Sequence, residues 1–274
     1  MRIEDLLVFG KSHCHSEHAK ILLAELLNKN PLELLTCLEE TVPQEKIELY
    51  QKEVLALESG KPLQYVMGYV NFYGNTFEID ERVLIPRFET EELVENVILY
   101  SKTLFQEPVD IIDLGCGSGA IGLTLEKKIP IKSLDLVDIS EEALQVTHKN
   151  CEKTSSKANL IKSDFFENIT KKYDIIVSNP PYIREEEEIE TIVKENEPPI
   201  ALYGGKDGLD CYRKILKDCK QHMKDKCLIA FEIGCEQAHS IIEIANTYLK
   251  NIKIEVKKDL SGKDRMLFIF QNIE

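Results

Sequence analysis

The residues best suited to chemistry are Asn179-Pro180-Pro181-Tyr182, where the apolar run Ile175-Ile176-Val177 gives way through Ser178. A carboxamide offers one acceptor oxygen and two donor hydrogens. Each proline biases the residue before it toward an extended backbone, so the Pro180 carbonyl has a set direction. The Asn179 side-chain oxygen and the Pro180 carbonyl can therefore hold both hydrogens of a planar –NH2 group, with Tyr182 as a flat face beside it. A nitrogen conjugated to a carbonyl or an aromatic ring is a poor nucleophile. Accepting both of its N–H bonds builds electron density on it as a new bond forms, which stabilises the transition state in particular. The plainer reading is that the prolines only end a strand, because they lack the N–H a ladder needs.

A second stretch, Asp113-Leu114-Gly115-Cys116-Gly117-Ser118-Gly119, follows another apolar run and opens a helix. Gly115, Gly117 and Gly119 permit a sharp turn and leave no side chain in the way of a ligand. The helix that follows offers free N–H groups and the positive end of its dipole. Asp138, followed by Ile139, ends the next strand 19 residues beyond Gly119. That spacing suits a carboxylate accepting hydrogen bonds from ribose hydroxyls, so a nucleoside ligand is expected. Gly117 to Gly122 also fits GxGxxG, which keeps a nicotinamide-dependent dehydrogenase open at this point. Asp164 and Phe165 follow the third strand of the series. Asp164 could accept from an adenine amino group and Phe165 could cover the ring; a loop acid and a core aromatic are the equal alternative.

The elements that must position these residues follow from periodicity. Strands are expected over 109–114, 133–138, 159–162, 174–178 and 227–233, and helices over 118–127, 141–150, 208–224 and 236–249. Two last strands meet at a turn, Ser261-Gly262. Alternating strand and helix imply a parallel α/β sheet covered on both faces, made mixed by the terminal hairpin. The first 60 or so residues read as short amphipathic helices: one capped by Ser16, one capped by Asn30 with Pro31 inside it, and one stopped by Gly60. Period-two alternation around Gly74-Asn75 then reads as a β-hairpin. The expected organisation is a helical bundle over 1–62, a hairpin connector over 63–86 and a catalytic domain over 87–274.

Composition narrows the function classes. The 274 residues are 43% hydrophobic and 30% charged, with no apolar run long enough for a membrane span. The first residues are acidic where a signal peptide would be basic, so a cytoplasmic protein is expected. Eight cysteines without CxxC spacing read as reduced thiols. His13, Cys14, His15 and His18 are too close in sequence to converge from one helix, so no metal is expected. The net charge is −14, and residues 1–82 carry eight Lys/Arg against fourteen Asp/Glu. A duplex-binding protein needs a basic field to neutralise phosphates, so direct nucleic-acid binding is disfavoured.

Taken together, the glycine stretch, Asp138, Asp164-Phe165 and Asn179 to Tyr182 resemble S-adenosylmethionine-dependent methyltransferases acting on exocyclic or amide nitrogens. LIPRFETEELVE (84–95), NPPYI (179–183), ALYGGKDGLDCYRKI (201–215), FEIGCEQ (231–237) and DLSGKDRM (259–266) narrow this to the HemK/PrmC family of release factor glutamine methyltransferases. The resemblance implies a Rossmann-like, seven-stranded class I methyltransferase sheet behind a small helical bundle. It implies S-adenosylmethionine over Asp113, Gly115, Cys116, Gly117, Ser118 and Gly119, with the ribose at Asp138-Ile139 and the adenine near Asp164 and Phe165. S-adenosylhomocysteine would be the product. It implies that Asn179, Pro180, Pro181 and Tyr182 hold the amide of the Gly-Gly-Gln glutamine of a peptide chain release factor, and that the bundle helps grip that protein. Nothing in the sequence demands a dimer, so a monomer is expected. Phe88, Cys116 and Asn196 depart from the common family pattern without touching the proposed acceptors. An N6-adenine methyltransferase could use the same grip, and the acidic run 184–190 beside the site argues against it.

Overall fold

The computed structural model describes residues 1–272, which divide into two units. The first holds Met1–Tyr69 together with a later segment, Glu190–Asn196. Its helices are α1 (Ile3–His13), α2 (Ser16–Leu27), α3 (Gln44–Glu58) and the one-turn α4 (Leu63–Met67). Leu6, Leu22, Leu23, Leu34, Tyr50 and Val54 form its apolar centre. Gly10 lets the helices approach: a Cβ there would lie 2.2 Å from the Tyr50 hydroxyl, which donates to the Ala19 carbonyl at 3.1 Å.

Three local expectations change in this unit. Ser16 is the first helical residue and caps nothing; His15 precedes it without a side-chain cap. Asn30 makes capping bonds, its side chain accepting from the Leu32 N–H at 2.9 Å while its own N–H donates to Glu33 at 2.8 Å, but only a 3-10 turn, Glu33–Thr36, follows where a helix is expected. The alternating pattern before the hairpin is helical over Leu63–Met67, entered through Pro62 and stopped by Gly68 at φ +77.

The second unit runs from Val70 to Ile189 and resumes at Glu197. After the hairpin β1 (Tyr69–Phe72) and β2 (Asn75–Glu78), α5 (Phe88–Leu104) leads into β3 (Val109–Leu114), α6 (Ala120–Lys128), β4 (Ile131–Asp138) and α7 (Glu141–Thr154). Next come β5 (Asn159–Lys162), β6 (Tyr173–Ser178), α8 (Thr191–Asn196, in the first unit), α9 (Pro199–Leu202) and α10 (Asp210–His222). β7 (Met223–Glu232), α11 (Ala238–Tyr248), β8 (Ile252–Lys258) and β9 (Asp264–Gln271) complete the described chain.

Seven strands form one sheet in the order β5-β4-β3-β6-β7-β9-β8. All neighbours are parallel except β7–β9 and β8–β9. Helices cover both faces, so all six residues of β3 are buried, Asp110 and Asp113 included. The strand order reverses between β3 and β6, and at such a switch point the carboxyl ends of the strands open a crevice.

At the opposite, amino-terminal ends of the strands sits an ion network. The nearly buried Asp110 accepts from Lys224 at 2.6 Å and from Ser133, and Lys171 lies 3.1 Å away. Lys224 also reaches Asp174 at 2.6 Å, whose carboxylate accepts the Asp110 N–H at 2.7 Å. Burial alone would raise the Asp110 pKa, but the hydrogen bonds from Lys224, Ser133 and Lys171 outweigh it and hold the group well below the usual carboxylate range. A depressed folded pKa contributes stability that is full above the unfolded value near ~3.9 and is lost as pH falls through the folded one. We expect Lys224→Met to lower the unfolding free energy by roughly 1–3 kcal/mol, less than a fully buried pair would give because the lysine is 34% exposed. Urea titrations across pH should show that difference constant above about pH 5 and narrowing below about pH 4.

Candidate active site

The glycine loop is held at three points. The Gly115 and Cys116 N–H groups donate to the Val137 carbonyl at 2.8 and 2.9 Å, tying the loop to the end of β4. Thr147 donates to the Gly117 carbonyl at 2.6 Å. Asn150, fully buried on α7, donates to the carbonyls of Ser118 and Glu78, both at 2.9 Å, and accepts the Glu78 N–H at 2.7 Å. One carboxamide thus joins the loop to the β1–β2 hairpin.

Asp138 stands at the centre of this arrangement. Its two oxygens accept the N–H of Gly117 and of Ser140, each at 2.9 Å. Burial raises its pKa and the three N–H groups of Ser140, Gly117 and Ile139 oppose that, leaving a net rise. A carboxylate has about four acceptor positions, so room remains for a bond from a ligand hydroxyl.

A cavity of about 270 Å³ opens over the loop at the switch point between β3 and β6. Of the expected residues, Gly115, Cys116, Gly117, Ser118, Asp138, Ile139, Asp164, Phe165, Asn179 and Pro181 line it. Cβ atoms built on Gly115 and Gly117 meet nothing within 4 Å, so the glycines leave open space where a ligand backbone could lie. Such a cradle, with an acidic strand end beside it and an aromatic wall opposite, fits a nucleoside attached to a short polar chain.

Asp113, Gly119, Pro180 and Tyr182 are placed elsewhere. Asp113 is fully buried behind the loop, where one oxygen accepts the Gly122 N–H at 2.9 Å and the other has no hydrogen-bond partner among the described residues. Burial, with the nearby Asp138 charge, pushes its carboxyl up to about 7. Gly119, at φ +81, is the N-cap of α6 and packs against Thr147 and Leu123. Pro180 is buried at the end of β6, and Tyr182 lines a second, more open cavity of about 590 Å³ with Arg184, Lys206, Gln237 and Arg265. Asp164 is on the cavity wall but its carboxylate pairs with Lys214, so an adenine amino group would share it with that ammonium. Phe165 sits at φ +50, a left-handed turn that sets it on the wall while Phe166 enters the core and stacks on His222 at 4.5 Å.

Around Asn179 lie residues that no local sequence signal marked. The Asn179 Nδ2 donates to Thr90 Oγ1 at 3.3 Å, and that hydroxyl donates to Glu232 Oε2 at 2.6 Å. The Tyr182 hydroxyl donates to Glu232 Oε1 at 3.3 Å. Burial raises the Glu232 pKa, against the hydrogen bond from Thr90 and the charge of Arg265. Glu197 holds the strap before α5, accepting from Arg87 and from the Ile85 N–H at 3.1 Å. The backbone of Pro181 and Tyr182 is backed by glycines: a Cβ on Gly204 would lie 2.4 Å from the Pro181 carbonyl oxygen, and one on Gly208 2.2 Å from that of Tyr182. Gln237 also donates to the Tyr182 carbonyl, at 2.8 Å.

The fold and the loop together define a class I, S-adenosylmethionine-dependent type of methyltransferase. Among solved structures, a methyltransferase from Pyrococcus furiosus is similar with a TM-score of 0.55 at 19% identity, over 73% of this chain and 90% of that one. The ribosomal protein L11 methylase of Lactobacillus delbrueckii subsp. bulgaricus gives 0.52 at 18%, over 70% and 82%. These likenesses concern the fold alone. The methyltransferase small domain family matches residues 95–197, and the PrmC N-terminal domain family matches 15–68. Release factor glutamine methyltransferase of Bacillus subtilis (strain 168) is 38% identical, over 91% of this chain and 89% of its own. That of Streptococcus pneumoniae is 37% identical over 97% and 94%. The chain belongs to the release factor glutamine methyltransferase family.

The glycine backing gives a direct test. Gly208→Ala would force a left-handed φ of +74 on a residue with a Cβ and drive it into the Tyr182 carbonyl, costing roughly 1–3 kcal/mol. A thermal melt should show the loss, and turnover should fall because the displaced backbone is that of Pro181-Tyr182.

Proposed function

We propose that this protein transfers a methyl group from S-adenosylmethionine to the side-chain amide nitrogen of the glutamine in the Gly-Gly-Gln motif of a peptide chain release factor. One observation carries the reading: Asn179 lines the same cavity as the glycine loop, with its –NH2 turned toward Thr90 and hence its oxygen turned away from it. An amide-accepting group beside a nucleoside cradle is what methyl transfer to an amide requires. The family membership supports the same substrate.

S-adenosylmethionine, when bound, supplies a methyl carbon made electrophilic by a positively charged sulfur. The rest is the work of the chain. Gly115 to Ser118 admit the ligand backbone, Asp138 accepts from its ribose, and Ile139 and Phe165 cover its base, with Asp164 in reach of the amino group. Asn179 Oδ1 and the Pro180 carbonyl accept the two N–H bonds of the glutamine amide, so the nitrogen lone pair is less committed to the carbonyl when the methyl arrives. Nitrogen gains the methyl group and gives up one of those two hydrogens as a proton. Tyr182, on the side of the second cavity, gives the amide a flat neighbour and leaves room there for the main chain of the protein substrate. Alignment of nitrogen, methyl carbon and sulfur supplies much of the remaining acceleration.

In this reading residues 1–62 dock the release factor, 63–86 connect, and 87–274 carry out transfer. In the same reading the enzyme works as a monomer in the cytoplasm alongside its substrate. Incubation with labelled S-adenosylmethionine and either a release factor or DNA tests the substrate: label belongs on the glutamine, and label on adenine would replace this reading with nucleic-acid methylation. Asn179→Ala should lower kcat by about 10²-fold or more while the cofactor dissociation constant stays within about twofold. Asp138→Ala should do the reverse in emphasis, raising that dissociation constant at least about tenfold in a calorimetric titration, as expected for losing charged acceptor bonds.

A further inference from the structure

We infer that Glu232 and Thr90 are positioning residues: the buried carboxylate, acting through the threonine hydroxyl, decides which end of the Asn179 carboxamide faces the methyl-accepting amide. The inference rests on the role proposed above for Asn179 and adds what makes that role one-directional.

A carboxamide is nearly symmetric in shape. Turned over, Asn179 would offer the substrate nitrogen two donors in place of an acceptor, and donor would face donor. Shape alone cannot prevent this, so the choice must come from hydrogen-bond polarity. Glu232 supplies it. It is the last residue of β7, 1% exposed, and both its oxygens are acceptors. The Thr90 hydroxyl has a single hydrogen, and its 2.6 Å contact with Glu232 Oε2 uses it. The Thr90 oxygen can then only accept, and the neighbour it accepts from is Asn179 Nδ2 at 3.3 Å. The –NH2 is thereby turned to Thr90 and Oδ1 away from it.

The same carboxylate orients a second member of the site. Tyr182 donates to Glu232 Oε1 at 3.3 Å, so one buried group sets both the asparagine and the tyrosine that flank the two prolines. Arg265 stands near enough for its charge to favour the ionised carboxylate, and it is itself held by Asp259 at 3.2 Å and by the Ile233 carbonyl at 3.3 Å. A buried carboxylate with no packing need for its charge is costly unless hydrogen-bonded and paired. Here the cost maintains a direction. Thr90 lies at the start of α5 and Glu232 at the end of β7, so the device ties the helix after the connector to the strand ends that carry the site.

The test compares Thr90→Val, Thr90→Ser, Glu232→Gln and Asn179→Ala in the full chain, measuring kcat and KM on a release factor, the S-adenosylmethionine dissociation constant and the melting temperature. Valine keeps the shape of threonine but cannot accept, and the glutamine can present an –NH2 to Thr90 and so permit reversal. Both should lower kcat by roughly tenfold to a hundredfold, short of the outright loss of a preorganised group, with KM and cofactor affinity within about threefold. Thr90→Ser retains the hydroxyl and should return kcat to within about threefold of wild type. Wild-type kcat in Thr90→Val or in Glu232→Gln, beside an inert Asn179→Ala, would overturn the positioning roles while leaving the site reading intact. So would a serine variant as impaired as the valine one, or cofactor affinity falling in step with kcat, because either marks a merely structural contact. Normal turnover in Asn179→Ala would instead remove the site reading on which the inference stands.

Discussion

The site depends on the hydrogen-bonded register of three parallel strands. Asp113 of β3 lies opposite Val177 of β6, and Ser178 of β6 lies opposite Phe231 of β7. The next residues along each strand are therefore Leu114 and Gly115, Asn179, and Glu232, set side by side at the carboxyl ends of three interior strands. A further bond, Ser178 Oγ to the Leu114 carbonyl at 2.5 Å, closes β6 against β3 where the ladder ends. Because side chains alternate with period two, a slip of one residue between these strands would turn Asn179 away from the cavity. The glycine loop and the carboxamide are thus held in fixed relation by backbone pairing, before any side chain acts.

The sheet and its helices were legible because each leaves a local mark. Short, largely apolar runs such as Ile175-Ile176-Val177, repeated between helical stretches, read as strands buried on both faces, and glycine, proline and acid at their ends mark the turns. The loop Gly115 to Gly119 and Asp138 were legible for the same reason: their spacing is short and their chemistry is in the backbone. Local signals misled where a segment is short. Asn30 makes capping bonds, yet only one 3-10 turn follows it; Leu63–Met67 has too few residues for its periodicity to separate helix from strand.

What could not be read is the layer behind the site. Thr90 and Glu232 are 142 residues apart and meet only because α5 starts where β7 ends. Asn150, Glu197 and Gln237 likewise look like ordinary polar residues on helices or in loops. They act at long sequence separation, and no periodicity records that. Asp113, which the glycine motif invites into a ligand role, ends up fully buried behind the loop, a placement that neighbouring residues alone do not decide. The strings around Gly204, Gly208 and Glu232 were noticed only through family resemblance; the space each glycine vacates for the Pro181-Tyr182 backbone gives that resemblance its physical reason.

The helical unit includes a piece that the chain supplies much later. Glu190–Asn196 belongs with Met1–Tyr69, and within that unit Asn196 donates to the Gly60 carbonyl at 3.0 Å. The polypeptide therefore leaves the second unit after Ile189, adds one helical turn and a half to the bundle, and returns at Glu197, whose carboxylate accepts from Arg87 and from the Ile85 N–H. A bundle with that construction is no detachable cassette. Recombination at a single joint near residue 69 would deliver an incomplete module and leave an orphan segment behind. Replacement of the bundle during divergence would require two coordinated exchanges, and the second lies only a few residues from Asn179-Pro180-Pro181-Tyr182.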